Sequence, residues 1–390
     1  MGMLNFKYYI PTALYFGKGE VASLEHELKG KYKRALIVTG SGSVKSNGIF
    51  YQVLAQVKKA GLEYKELSGI QPNPRLKSVY KGIQVCRDSN IDLVLGVGGG
   101  SVIDASKAIA AGAEYDGDCW DFFIKKATPE RALDIGCVLT LAATGSEMNG
   151  NAVITKEDTR RKLALCTPHI RPRFSILDPE YTFSVNRYHT AAGVVDIIAH
   201  IFEQYFSHTK GSDVQDLIAE ALIKVCLKYG PIVLHSPRDY TARSNLMWAG
   251  TLALNGLIGY GKDSDWASHG IEHELSAIYD ISHGAGLAII MPSWMKNVLS
   301  DKTVPRLAAY GINIWNIDAD KDPIDIANEA ILKTKVFFTS LGMPKSLREI
   351  DIPAEMFEEM AGNVIDHYGQ VGSFKKLNKQ DIIDILVSAF

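Results

Sequence analysis

The strongest constraint on the fold is a unit repeated along the first part of the chain: a short apolar run, a glycine-bearing turn and an amphipathic helix. RALIVTG at 34–40 runs into SGSVKSNG. The helix that follows places Ile49, Val53, Leu54 and Val57 on one face. LEYKELSG at 62–69 reads as a strand and 73–90 as a helix. IDLVLGVGGGS at 91–101 is an apolar strand ending in glycines, followed by the helical VIDASKAIAAGA. ALYFG at 13–17, DIGCVLTLAATG at 134–145, NAVITK at 151–156 and FSILDPE at 174–180 are further strand-like pieces. Short apolar strands alternating with one-faced helices predict a parallel sheet covered on both sides.

The texture changes near residue 185. TAAGVVDIIAHIFEQYF at 190–206, then VQDLIAEALIKVCLKYGPIVLH, TARSNLMWAGTLALNGLIGYG and ASHGIEHELSAIYD, all read as helices, and the tail is helical between breakers such as Gly342, Pro344 and Pro353. A chain of 390 residues suits two domains. The expected division is an α/β domain over 1–185 and an all-helical domain over 186–390, with the junction as the expected place for chemistry. With 42 basic against 44 acidic side chains the net charge is -2, which gives no support for broad nucleic-acid binding. No run of apolar residues is long enough to predict a membrane span. Five scattered cysteines without a CxxC pair argue against a disulfide framework, so a cytoplasmic soluble protein is expected.

Three glycine-rich turns follow strands. In GVGGGSVID, Gly98, Gly99 and Gly100 precede a helix opened by Ser101. Glycines there let a backbone approach a ligand closely, and positive φ is expected at some of them. A helix start offers unpaired N–H groups and a positive dipole end, which suit a diphosphate. TGSGSVK at 39–45 and TLAATGSE at 140–147, with Thr140, Thr144, Gly145 and Ser146, sit in the same way. None matches GxGxxG followed by an acid, or a P-loop. Glycines also end strands for purely structural reasons, but three such turns on consecutive αβ elements favour a phosphate-bearing ligand.

The helical half offers a metal constellation. Asp196 and His200 are four apart in VVDIIAH and lie on one helix face; His269 and His273 have the same spacing, and His283 follows in DISHGAG. Asp196 stands in the apolar AAGVVDIIAHIF, where a lone carboxylate needs a partner. That partner is an arginine, a helix cap or a metal, and Asp196 with His200 and two of the three later histidines suits iron or zinc. Spacing mildly favours His269 with His273. Trp266, Trp294, Leu257 and Ile258 are apolar candidates for the same region or for plain core packing.

With these motifs in view, the chain resembles the iron-containing (group III) alcohol dehydrogenases, in the branch of NADPH- or NADH-dependent butanol dehydrogenases and broad-range aldehyde reductases. The resemblance runs over nearly the whole chain, through PTALYFGKGE, GVGGGSVID, TLAATGSEMN, ILDPE, GVVDIIAHIFEQY, DWASHGIEHELSA and DISHGAGLAI. It implies a dehydroquinate synthase-like architecture, an α/β dinucleotide-binding domain followed by an all-α metal-binding domain. It implies that Asp196, His200, His269 and His283 are the metal ligands. His273 is then off the metal, beside substrate and nicotinamide, as a catalytic residue that relays a proton. It implies that Gly98, Gly99, Gly100 and Ser101 meet the diphosphate, that Asp104 lies by the cofactor at the catalytic region, and that Thr140 and Thr144 line the nucleotide.

Cofactor choice hangs on Gly40, Ser41, Gly42 and Ser43, where NAD-preferring members often carry an acid. No carboxylate stands there, Lys45 lies just beyond, and Lys162 resembles a lysine used near NADP. NADP(H) is therefore favoured over NAD(H), and Fe(2+) over Zn(2+). The implied reaction is reversible hydride transfer between the nicotinamide and small to medium primary alcohols or aldehydes, such as butanol and butanal, by a homodimer with no nucleic-acid or membrane partner. A glycerol dehydrogenase-like enzyme or a dehydroquinate synthase-like lyase shares this architecture. A non-catalytic nucleotide- and metal-binding protein is the reading from another class.

Overall fold

The computed structural model describes Gly2 through Phe390. The described residues form eight strands: β1 (Ala13–Phe16), β2 (Arg34–Gly40), β3 (Glu63–Ile70), β4 (Leu93–Gly98), β5 (Asp134–Leu139), β6 (Asn151–Lys156), β7 (Arg161–Cys166) and β8 (Phe174–Leu177). The first helices are α1 (Ser23–Leu28), α2 (Ser43–Ser46), α3 (Ile49–Lys59), α4 (Leu76–Asp88), α5 (Gly100–Ala113) and α6 (Trp120–Phe123). Then come α7 (Arg187–Tyr205), α8 (Asp213–His235), α9 (Tyr240–Ala253), α10 (Ala267–Tyr279) and α11 (His283–Asn297). The chain ends with α12 (Val304–Trp315), α13 (Pro323–Ser340), α14 (Phe357–Tyr368) and α15 (Lys379–Ala389).

Six strands form one parallel sheet in the order β1-β8-β5-β4-β2-β3. Successive residues of a strand face opposite sides of a sheet. On β2, Leu36 and Val38 enter the core with α4 and α5, while Ala35 and Ile37 enter the core with α1 and α3. Both faces are covered, which is why these strands read as continuous apolar runs. From β2 the chain moves one way to β3, then returns to β4, β5 and β8 on the other side. The order therefore reverses between β2 and β4, and open α/β sheets bind ligands outside the carboxyl ends of strands at such a reversal. Gly40 ends β2 and Gly98 ends β4 at that point. The strand over 161–166 was not foreseen. It pairs antiparallel with β6 through Asn151↔Cys166 to Lys156↔Arg161, a separate hairpin rather than part of the main sheet.

The α/β sheet domain is followed by a helical region, but the expected 1–185 and 186–390 division needs correction in two segments. One compact unit is Tyr9–Val185 with Pro237–Thr251; the other is Asn186–Ser236 with Leu252–Phe390 and the first residues through Tyr8. Met247 is buried in the α/β core, and the Trp248 ring meets Phe16 at 5.8 Å. The helix expected to run on to Gly261 stops at Ala253, before Asn255 and Gly256, whose φ is 102°. No helix among the described residues is long and apolar enough to cross a membrane.

Candidate metal centre and dinucleotide turns

α7 starts cleanly because the Asn186 side chain accepts the His189 N–H. Its Asp196 and His200 are both buried, with His200 Nδ1 3.7 Å from Asp196 Oδ1. His269, from α10, joins them: one ligand atom from each of Asp196, His200 and His269 lies within 4.8 Å of the others. His283, the first residue of α11, brings Nε2 to 3.7 Å from Asp196 Oδ1. Gly284 makes that approach feasible, since a Cβ there would stand 2.1 Å from the Ala192 carbonyl oxygen of α7.

The donor set fits a divalent ion. Burial holds the His200 imidazole well below its usual pKa, and His269 and His283 act in the same direction, so the ring is neutral as a ligand must be. Nδ1 of His200 and Nε2 of His269 are buried and make no hydrogen bond. Buried polar atoms left this way are costly without a partner, and one carboxylate with several imidazoles suits iron(II) or zinc.

His273, one turn after His269, has its ring centroid 5.5 Å from that of His283. Glu272, His273 and His283 also offer three donor atoms within 4.8 Å. Glu272 Oε2, however, already accepts a hydrogen bond from His283 Nδ1. Trp266, just before α10, has φ 65°, an outlier for a bulky residue that costs about 1–3 kcal/mol. Glu203 holds it by accepting its N–H at 2.8 Å, and Asp265 Oδ1 accepts the Ala267 N–H at 3.0 Å. Burial, with Glu203 nearby, pushes the Asp265 carboxyl up to about 7 despite its bonds from the Ala267, Ser373 and Phe374 amides. The Trp266 ring lies 5.3 Å from His269. Trp294 is core, packed on Phe206 and Phe374; Ile258 is buried and Leu257 half-buried.

In the α/β unit the three turns gather at the carboxyl ends of adjacent strands. Gly99 caps α5, and none of Gly98, Gly99 and Gly100 has positive φ, contrary to expectation. Close packing explains the glycine at 100: a Cβ there would lie 2.5 Å from Thr144 Oγ1. Left-handed backbone falls instead at Gly42, with φ 125°, and Gly145, with φ 60°. Ser101 is half-buried at the start of α5, and the Thr140 N–H donates to the Gly98 carbonyl at 3.1 Å. Ser41 and Ser43 are exposed, and Gly40 is half-buried. Lys45 pairs with Glu66 at 2.5 Å.

Asp104 is engaged at both oxygens: Oδ1 accepts from Ser146 Oγ at 2.6 Å and Oδ2 from the Val153 N–H at 3.0 Å. Burial raises its pKa, and the charges of Lys107 and Lys162 oppose that rise. Lys107 was not foreseen. It is fully buried and donates to Ser146 Oγ, Asn149 Oδ1 and the Asn151 carbonyl at 2.8, 3.1 and 2.8 Å. Glu203 and Glu272 were also missed. Their signal was helical spacing: Glu203 lies three residues after His200, and Glu272 three after His269.

The family model for the iron-containing alcohol dehydrogenase matches residues 11–179. That for the C-terminal part of the Fe-containing alcohol dehydrogenase family matches 190–390. The chain is 49% identical over 389 residues to NADH-dependent butanol dehydrogenase A of Clostridium acetobutylicum, covering 100% of each. It is 38% identical to the NADPH-dependent aldehyde reductase YqhD of Escherichia coli, covering 94% of each. The crystal structure of NADH-dependent butanol dehydrogenase A from Thermotoga maritima superposes with a TM-score of 0.96 at 39% identity, covering 100% of this chain and 99% of that one.

Proposed function

The chain belongs to the iron-containing alcohol dehydrogenase family, whose members are NAD(P)-dependent oxidoreductases of alcohols and aldehydes, and on that premise we propose that it moves a hydride between NADP(H) and small to medium primary alcohols and aldehydes such as butanol and butanal. The observation that carries this reading is the buried meeting of Asp196, His200 and His269, with His283 Nε2 3.7 Å from Asp196. These four residues would hold the ion, iron(II) by preference and zinc as the alternative. When bound, the ion supplies a Lewis acid for the substrate oxygen, and the dinucleotide supplies or accepts hydride at the nicotinamide. His273 moves a proton between the substrate oxygen and solvent, since an imidazole changes charge near neutral pH.

The cofactor is held in the α/β unit. Backbone N–H groups at Gly100 and Ser101, at the start of α5, receive the diphosphate, with Gly98 and Gly99 keeping the approach open. Thr140 and Thr144 line the nucleotide. Asp104 acts from the cofactor side by holding Ser146 and Val153, with Lys162 near its charge. Ser41 and Ser43 are exposed beside Gly40 and Gly42 and donate to a ribose 2′-phosphate, with no carboxylate among the four to repel it. Lys45 contributes less, because Glu66 already pairs with it.

The setting is a cytoplasmic homodimer. The test is reduction of butanal by the iron-loaded chain with NADPH and with NADH, beside glycerol oxidation. A higher kcat/KM for butanal with NADPH supports the reading. A higher value with NADH, the cofactor in the name of the Clostridium relative, overturns the cofactor choice alone. Preference for glycerol overturns the substrate class. No turnover of any aldehyde by metal-loaded protein favours the non-catalytic alternative. Sedimentation of a monomer overturns the dimer.

A further inference from the structure

Two fully buried carboxylates stand directly behind the histidines of the metal reading. Glu203 lies on α7, three residues after His200, and so on the same helix face. Its Oε1 is 2.7 Å from His269 Nδ1 and 3.1 Å from the His269 backbone nitrogen, and its Oε2 accepts the Trp266 N–H at 2.8 Å. Glu272 lies on α10; its Oε2 accepts from His283 Nδ1 and its Oε1 from the Ser276 hydroxyl. Each acid thus serves a histidine of a different helix: α7 supplies one to His269 on α10, and α10 supplies one to His283 on α11. Room for the second acid comes from Gly286, where a Cβ would lie 2.7 Å from the Glu272 Cγ.

A neutral imidazole carries one proton, on either nitrogen. An ionised acceptor at Nδ1 fixes the proton there and leaves the Nε2 lone pair for an ion. Both rings show that polarity. His269 Nε2 is buried without a hydrogen bond, and His283 Nε2 is the atom 3.7 Å from Asp196 Oδ1.

We propose that Glu203 and Glu272 are positioning residues that set the tautomer and ring rotation of His269 and His283, so that affinity for the ion depends on two acids that do not touch it. This rests on the reading of Asp196, His200, His269 and His283 as ligands. An amide in place of either acid keeps the shape but removes the charge that favours Nδ1–H.

The test is cobalt(II) titration of the metal-free full chain, followed by visible d–d absorption with chelator competition, for the wild type, Glu203→Gln and Glu272→Gln. The expected result is a dissociation constant raised about 10–100-fold in each variant, with displaced d–d bands and an unchanged KM for the dinucleotide. Variants that bind cobalt with wild-type affinity and bands overturn the proposal while leaving the ligand assignment intact. Failure of the wild type to take up cobalt overturns the ligand assignment instead. Nitrogen-15 NMR of histidine-labelled, metal-free wild type gives a separate arm that needs no variant to fold. His269 and His283 are expected as Nδ1–H tautomers, and Nε2–H tautomers at both overturn the positioning role.

Discussion

His273 and His283 illustrate what one residue's neighbours decide. Spacing within a helix paired His273 with His269, but the nitrogen facing Asp196 belongs to His283, on another helix. Replacing His273 by Ala is expected to leave bound metal near wild-type stoichiometry while turnover falls and the pH dependence of the rate changes. Metal analysis beside kcat across pH 5–9 checks this, and lost metal with an unchanged profile sinks the relay role. Lys107 carries a second prediction. Burial lowers its pKa from 10.5 to about 8 in the fold. From pH 8 to 10.5 the unfolded chain therefore binds more protons than the folded one, and this group's contribution to stability rises with pH. Urea midpoints of the wild type against Lys107→Met should diverge across that range, by on the order of 3 kcal/mol. A pH-independent difference means that Ser146, Asn149 and Asn151 keep the ammonium charged. Nothing in the string ASKAIAAG marks Lys107 as buried; its partners come from residues 146–151, which only the folded chain brings near.

At the scale of elements, periodicity made much of the architecture legible. Ile49, Val53 and Val57 do form the buried face of α3, and the apolar runs do become sheet strands. The β6–β7 hairpin was harder, because RKLALC carries two cations and an exposed Cys166, which mimic a loop. Glycines in the helical half were harder still. Gly284 reads as a routine helix-start residue, yet its lack of a side chain sets the α7–α11 distance on which the place of His283 depends. Gly284→Ala forces overlap with backbone rather than with a movable side chain. It should cost about 1–3 kcal/mol in urea unfolding and weaken cobalt binding together. Retention of both wild-type values means that α11 slides without moving His283.

At the scale of the whole molecule, chain order misassigned Pro237–Thr251, because local pattern cannot tell which core a helix will join; Met247 and Trp248 do so by contacts with residues far away in sequence. The same non-local logic governs the ion. Its proposed ligands come from three helices, α7, α10 and α11, so the unfolded chain presents no comparable site, and binding must add to folding stability. Free metal at a hundredfold excess over its dissociation constant adds about 2.7 kcal/mol. For a cooperative unit of roughly 200 residues that raises the melting temperature on the order of 5–10 °C. Scanning calorimetry of the full chain with iron(II) or cobalt(II), then with chelator, should show a reversible shift of that size. Asp196→Asn should abolish it while leaving any shift produced by the dinucleotide. A melting curve indifferent to both metal and chelator would mean that the buried cluster holds no ion, and the proposed chemistry would lose its electrophile.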